Sequence, residues 1–105
     1  LNFKDQYMIK IYGMKSCPDC VAVYEQIEGD SRYQTVDIGA HVSYLKEFLR
    51  LRDNNPVFDD ARKYGYAGIP CFVLEDGRVT LSPEEAGITL GASHGASCNI
   101  DGTGC

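Results

Sequence analysis

Positive charge is in short supply: ten Lys and Arg stand against fifteen Asp and Glu, for a net charge of −5. That balance argues against nucleic acid or an anionic membrane as the main partner, since both demand a basic surface. No apolar run approaches the roughly eighteen residues a membrane span requires, so no spanning segment is expected. The opening residues, Leu1-Asn2-Phe3-Lys4-Asp5-Gln6-Tyr7, lack the basic-then-apolar layout of a secretory signal, and they lack an initiator Met. Residues 1–7 are therefore read as an N-terminal extension ahead of a start at Met8. Internal repeats and long linkers are also missing. Cysteine, by contrast, is plentiful and odd in number: five, at positions 17, 20, 71, 98 and 105. A secreted disulfide scaffold favours an even count spread through a loop-rich fold, so this distribution suits a reducing, cytoplasmic setting where thiols serve chemistry.

What is there fits one domain. The length of 105 residues, with 44% apolar and 24% charged residues, matches an ordinary globular chain with one modest core. Residues 8–12, Met-Ile-Lys-Ile-Tyr, alternate as a strand does, and Gly13 closes the run. Pro18 suits a first helical position, and Cys20, Val21, Tyr24, Ile27 and Glu28 follow helical spacing up to Gly29. A second alternation around Tyr33, Val36 and Ile38 completes a βαβ unit with parallel pairing. A helix over 42–52 presents Val42, Leu45, Phe48 and Leu49, and another runs from Asn55-Pro56 to Gly65 with acids early and bases late. Cys71-Phe72-Val73-Leu74 has buried-strand character, Asp76-Gly77 signals a two-residue hairpin, and Val79-Thr80-Leu81 returns. Ser82-Pro83-Glu84-Glu85 opens a last helix that Gly87 cuts short. Tyr24, Tyr33, Phe48, Phe58, Tyr64 and Phe72 are assigned to packing, and His41 to the surface. Beyond Gly87 the chain turns rich in Gly and Ser without apolar periodicity, an irregular tail.

The chemistry concentrates at Cys17-Pro18-Asp19-Cys20, between the first strand and the start of the first helix. Thiol–disulfide exchange needs a thiolate, and the unpaired N–H groups and dipole of a helix N-terminus stabilise that anion. Lys15 adds positive charge while Asp19 opposes it. The cap position is the more exposed, which makes Cys17 the nucleophile and Cys20 the resolving thiol. The competing reading of this pair is zinc binding, but half a site at a strand-to-helix junction is an unusual zinc arrangement.

Tyr12 and Lys15 ahead of Cys17-Pro18-Asp19-Cys20, then Gly68-Ile69-Pro70, then Glu75-Asp76-Gly77 give the sequence a resemblance to the glutaredoxin family of the thioredoxin superfamily. The resemblance spans about residues 8–86. It implies an α/β, thioredoxin-like fold in the order βαβ-α-ββ-α, a four-stranded mixed sheet flanked by helices, followed by the tail at 87–105. It implies thiol–disulfide oxidoreductase activity on protein or glutathione mixed disulfides, with a cis Pro70 facing the dithiol. Tyr12, Lys15, Pro18, Gly68, Ile69 and Pro70 would then line the substrate site, the Ile69 backbone pairing with an extended substrate. Many glutathione-using members carry Gly-Gly and an acidic pair after the last strand, where this chain reads Thr80-Leu81-Ser82-Pro83-Glu84-Glu85. Glutathione and thioredoxin reductase both stand as electron donors. No tightly bound cofactor or metal is expected, and the expected state is a monomer.

Three thiols remain. Cys71 reads as a small buried hydrophobe or as a third thiol that tunes the dithiol. Cys98 and Cys105 bracket an Asp101-Gly102 turn, and they read as an auxiliary redox pair, as metal ligands together with His94, or as an inert tail. The alternative function is thus a metal or iron–sulfur carrier using Cys17 between two subunits, or Cys98, Cys105 and His94. Retention of Cys20 beside Cys17 favours redox chemistry.

Overall fold

A computed structural model describes residues 8–90. The expected extension at 1–7 and the auxiliary cysteines Cys98 and Cys105, with His94, lie outside the described residues. Strand β1 (Ile9–Gly13) is followed by helix α1 (Pro18–Ile27) and strand β2 (Tyr33–Asp37). Helix α2 (Val42–Asn54) leads through a 3-10 turn (Pro56–Phe58) into helix α3 (Asp59–Tyr64). The hairpin β3 (Cys71–Val73) and β4 (Val79–Thr80) ends in a second 3-10 turn (Glu84–Ala86). The sheet runs β2-β1-β3-β4, with β1 parallel to β2 and the other pairs antiparallel. This is the four-stranded mixed sheet and thioredoxin-like α/β arrangement the sequence implied.

Alternation along the strands divides the apolar residues between two cores. On one face Ile9, Ile11, Tyr33, Phe72 and Leu74 pack with Val23 and Ile27 of α1 and with Ala86 and Ile88. On the other, Tyr12, Val36 and Ile38 pack with Phe48 of α2, Phe58 and Ala61. Phe48 touches both Tyr12 and Phe58, with ring centroids 5.9 and 5.8 Å away. Burying an Ile11 or Phe72 completely stabilises the fold by roughly 1.5–3 kcal/mol each.

Local chemistry sets where each element stops. Gly65 and Gly87 end their helical turns in left-handed conformations with φ of 80°. His41 caps α2, its Nδ1 accepting from the Ser43 N–H at 3.1 Å, and Asn55 caps the following 3-10 turn.

Several details depart from the sequence reading. Val42 and Leu49 are exposed, because α2 is oriented by Phe48, and residues one position away rotate about 100° from it. On α1 the buried face is Cys20, Ala22, Val23 and Ile27, leaving Val21 outside. Tyr64 is 57% exposed and packs beside Tyr66, away from either core. The hairpin loop has three residues rather than two: Leu74 N–H donates to Arg78 C=O, and Gly77, at φ 91°, bridges the bend. The expected helix after Ser82 is only a single 3-10 turn, since the Ser82 hydroxyl bonds the Glu84 carboxylate at 3.2 Å and no side chain caps the turn.

Candidate functional site

Cys17 and Cys20 lie where β1 hands the chain to α1, and each piece of that junction has a local cause. Cys17 N–H donates to Met14 C=O at 3.2 Å, tightening the loop, and Pro18 occupies the first helical turn. Cys17 is the N-cap, its Sγ accepting from the Cys20 N–H at 3.4 Å. A sulfur so placed receives an N–H that has no partner within the helix, and it sits at the positive end of the helix dipole. Gly13 is required by close approach: a Cβ there would lie 2.7 Å from the Tyr24 Oη and 2.9 Å from the Cys20 Sγ.

Both sulfurs are buried. Cys17 is 6% exposed and Cys20 fully enclosed, so the expected exposed cap thiol holds only relative to its partner. Cys20 and Cys71 are free, buried thiols. Burial pushes the Cys20 thiol up to about 11, and the carboxylates of Asp19 and Asp37 push the same way, against a backbone hydrogen bond at Met14. Asp19 Oδ1 is sealed from solvent without a hydrogen-bond partner among the described residues. An orphaned buried carboxylate oxygen between two cysteines is an unusual cost for a purely structural turn. Tyr24 is likewise held well above the ordinary phenol range by burial, then by Cys20 and Asp37.

The Gly68-Ile69-Pro70 segment reaches the same region from the other side of the chain. The Ile69–Pro70 bond is cis, and Ile69 shares one buried cluster with Cys17, Cys20 and Cys71. Gly68 has φ 91°, and a Cβ there would meet the Phe58 ring at 2.8 Å. Arg52 fixes the approach: its guanidinium donates to the carbonyls of Tyr66, Ala67 and Ala61 at 2.6, 3.0 and 3.3 Å.

The expected site residues do not all gather. Tyr12, Cys17, Cys20 and Ile69 share a cluster, and Pro70 is buried next to Ile69. Lys15 and Pro18 are exposed beside the dithiol. Tyr12, expected to line a substrate groove, is instead 3% exposed in the core, its hydroxyl donating to Glu47 of α2. Cys71 lies opposite Tyr12 across the sheet and is fully buried, with its thiol pushed up to about 12 by burial. At that position it packs as a hydrophobe and is inert near neutrality. Among the described residues no cluster of three or more His, Cys, Asp or Glu is arranged to hold a metal, and no helix is long and apolar enough to cross a membrane.

Sequence reasoning missed Asp37, Tyr24 and Arg52. The only available signal for Asp37 was an acid ending the second strand of a βαβ unit, on the edge where the first helix begins. Arg52 gave none, because its carbonyl partners lie up to fifteen residues away.

No family model matches the chain, and no solved structure matches it. An uncharacterized protein of Haemophilus influenzae is 36% identical over 74 residues, covering 68% of this chain and 84% of that protein. The chain belongs to the same family as that protein.

Proposed function

We propose that this member of that family is a glutaredoxin-type thiol–disulfide oxidoreductase acting through Cys17 and Cys20. The observation that carries the reading is the Cys17 sulfur at the N-cap of a ten-residue helix, accepting the Cys20 N–H. Stabilisation by the helix end favours the thiolate at Cys17, while burial and two carboxylates keep Cys20 protonated. The two thiols are thus differentiated as attack and resolution require.

In the reducing direction the Cys17 thiolate attacks one sulfur of a substrate disulfide. The substrate S–S bond breaks, the second substrate sulfur leaves as a thiolate and takes a proton, and Cys17 holds a mixed disulfide. Cys20 loses its proton and attacks Cys17 Sγ, releasing the first substrate thiolate and forming a Cys17–Cys20 disulfide. Two electrons have passed to the substrate. An external thiol such as glutathione, or thioredoxin reductase, restores the dithiol. The Ile69 backbone beside cis Pro70 is suited to align an extended substrate against Cys17. The reading places the protein in the cytoplasm.

Turnover of a glutathione mixed disulfide and of insulin by wild type and Cys17→Ser, with each reductase system supplied separately, tests this. Activity that disappears in the variant is expected, and the system that sustains turnover identifies the donor. Reduced, folded wild type that acts on neither substrate with either system would remove the proposal.

A further inference from the structure

Strand β2 is an edge of the sheet, and no strand among the described residues pairs with its outer side. The bonds Ile9 N–H to Arg32 C=O (2.8 Å) and Ile38 N–H to Gly13 C=O (2.9 Å) fix which backbone groups of β2 face β1. Residues 32, 34, 36 and 38 point inward, and Tyr33, Thr35 and Asp37 point their backbone outward. Two of the outward groups are satisfied locally: Tyr33 N–H donates to Asp30 C=O, and Asp37 C=O accepts from Ala40 N–H. The Tyr33 C=O, both backbone groups of Thr35 and the Asp37 N–H have no hydrogen bond among the described residues. They form an evenly spaced row of two donors and two acceptors.

Edges of this kind are commonly blunted by lysine, proline or a bulge. Tyr33-Gln34-Thr35-Val36-Asp37 carries none of these and pairs with β1 without a break. The opposite edge, β4, is only two residues long. Alongside β2 and facing α1 runs a groove of about 600 Å³. Its walls are apolar where Val21, Ile27 and Tyr33 contribute, and its far rim carries Glu25 and Glu28. Neither glutamate has an ion-pair partner among the described residues, whereas Asp30 on the same rim is held by Arg32 at 2.7 Å. Lys15 stands at the end nearest the dithiol. Asp37, on the same wall, lies at that end too, so the groove carries four acids, Glu25, Glu28, Asp30 and Asp37, against Lys15.

We infer that the β2 edge and the α1 groove form a docking site for an extended, basic segment of the disulfide-bearing protein substrate. The segment adds a strand to β2, and its alternate side chains facing α1 carry lysine or arginine opposite Glu25 and Glu28. Backbone pairing supplies affinity, and the side chains that fall on the glutamates supply specificity. Two copies of this acidic edge, on a chain of net charge −5, repel rather than pair. The inference rests on the oxidoreductase reading for its substrate class, but its test does not use turnover.

A short labelled peptide of alternating lysine and valine, free of cysteine, is titrated with the reduced full-length chain and followed by fluorescence anisotropy. An alternating glutamate and valine peptide is the control. Wild type is expected to bind only the basic peptide, and Glu25→Lys/Glu28→Lys to weaken that binding by about tenfold or more. Thr35→Pro removes an outward N–H without touching the β1 ladder or the charge, and it is expected to weaken binding by about tenfold as well. Circular dichroism checks that each variant is folded, and the charge-reversed variant, altered only on the helix surface, is the second arm should Thr35→Pro unfold. Equal binding of both peptides, an unchanged affinity in either folded variant, or a dimer of the free protein in sedimentation that Thr35→Pro abolishes would overturn the docking site. Turnover of a small disulfide is read separately: its absence with basic-peptide binding intact removes the oxidoreductase and keeps the groove.

Discussion

At the scale of single residues, Cys17 and Cys20, three positions apart, occupy unequal environments. Cys17 takes the helix end, and Cys20 takes the interior, with Asp19 and Asp37 opposing its ionisation. Asp19→Asn removes one opposing negative charge while keeping the shape of the side chain. In a Cys17→Ser background this change is expected to bring Cys20 down from about 11 and to speed its alkylation at pH 9 several-fold, followed by iodoacetamide labelling across a pH series. An unaltered pH profile would show that burial alone sets the thiol. The dithiol was legible in the sequence because its spacing and its place between a strand and a helix are both local. Tyr12 was not legible in the same way. Its side chain is claimed by Glu47, thirty-five residues away, and by Phe48, so a residue that alternation placed on the sheet became core.

At the scale of elements, the segment that leads to Ile69 and Pro70 is held by Arg52 of α2 together with the Tyr66 N–H bond to the Ala61 C=O. Three carbonyls accept from one guanidinium, and Arg62 in turn donates to the Arg52 and Asn55 carbonyls, binding α3 to the end of α2. Arg52→Ala is expected to cost about 2–3 kcal/mol in urea denaturation, because partly buried carbonyls lose charged donors. Arg52→Lys, which keeps the charge but not the fork, should recover less than half of that loss. KM for a protein disulfide is expected to rise in Arg52→Lys while kcat changes little, since the segment is displaced and the sulfurs are not. The strands and the helix starts were readable from period and caps. Helix faces were read less well: α2 is rotated by its Phe48 contact with Tyr12 and Phe58, a tertiary choice that six apolar residues in one helix leave open.

For the whole molecule, two cores lie on opposite faces of one sheet, and the Cys17–Cys20 junction belongs to the one that holds Tyr12 and Phe48. The βαβ alternation and the Asp76-Gly77 hairpin signal were enough to imply this mixed sheet, but the free edge of β2 was not implied, since an edge is defined by what does not pair with it. Burial of two free thiols also couples stability to pH. Cys20 at about 11 and Cys71 at about 12 lie above the ordinary value of 9.0, so the folded state favours their neutral forms. Their contribution is complete below about pH 9 and is lost as pH rises through 11 and 12, because the unfolded chain ionises first. Denaturation of the reduced protein is therefore expected to show stability falling above pH 9, with a shallower fall in Cys71→Ala. A flat profile would contradict the burial of these thiols.

The most direct test of the central claim is trapping. Reduced Cys20→Ser is incubated with oxidised glutathione, and the product is mapped by mass spectrometry of its peptides. The account predicts one stable glutathione adduct, on Cys17, that wild type resolves and Cys17→Ser fails to form at that rate. An adduct formed as readily without Cys17, or none at Cys17 in folded Cys20→Ser, would contradict the assignment of nucleophile and resolving thiol.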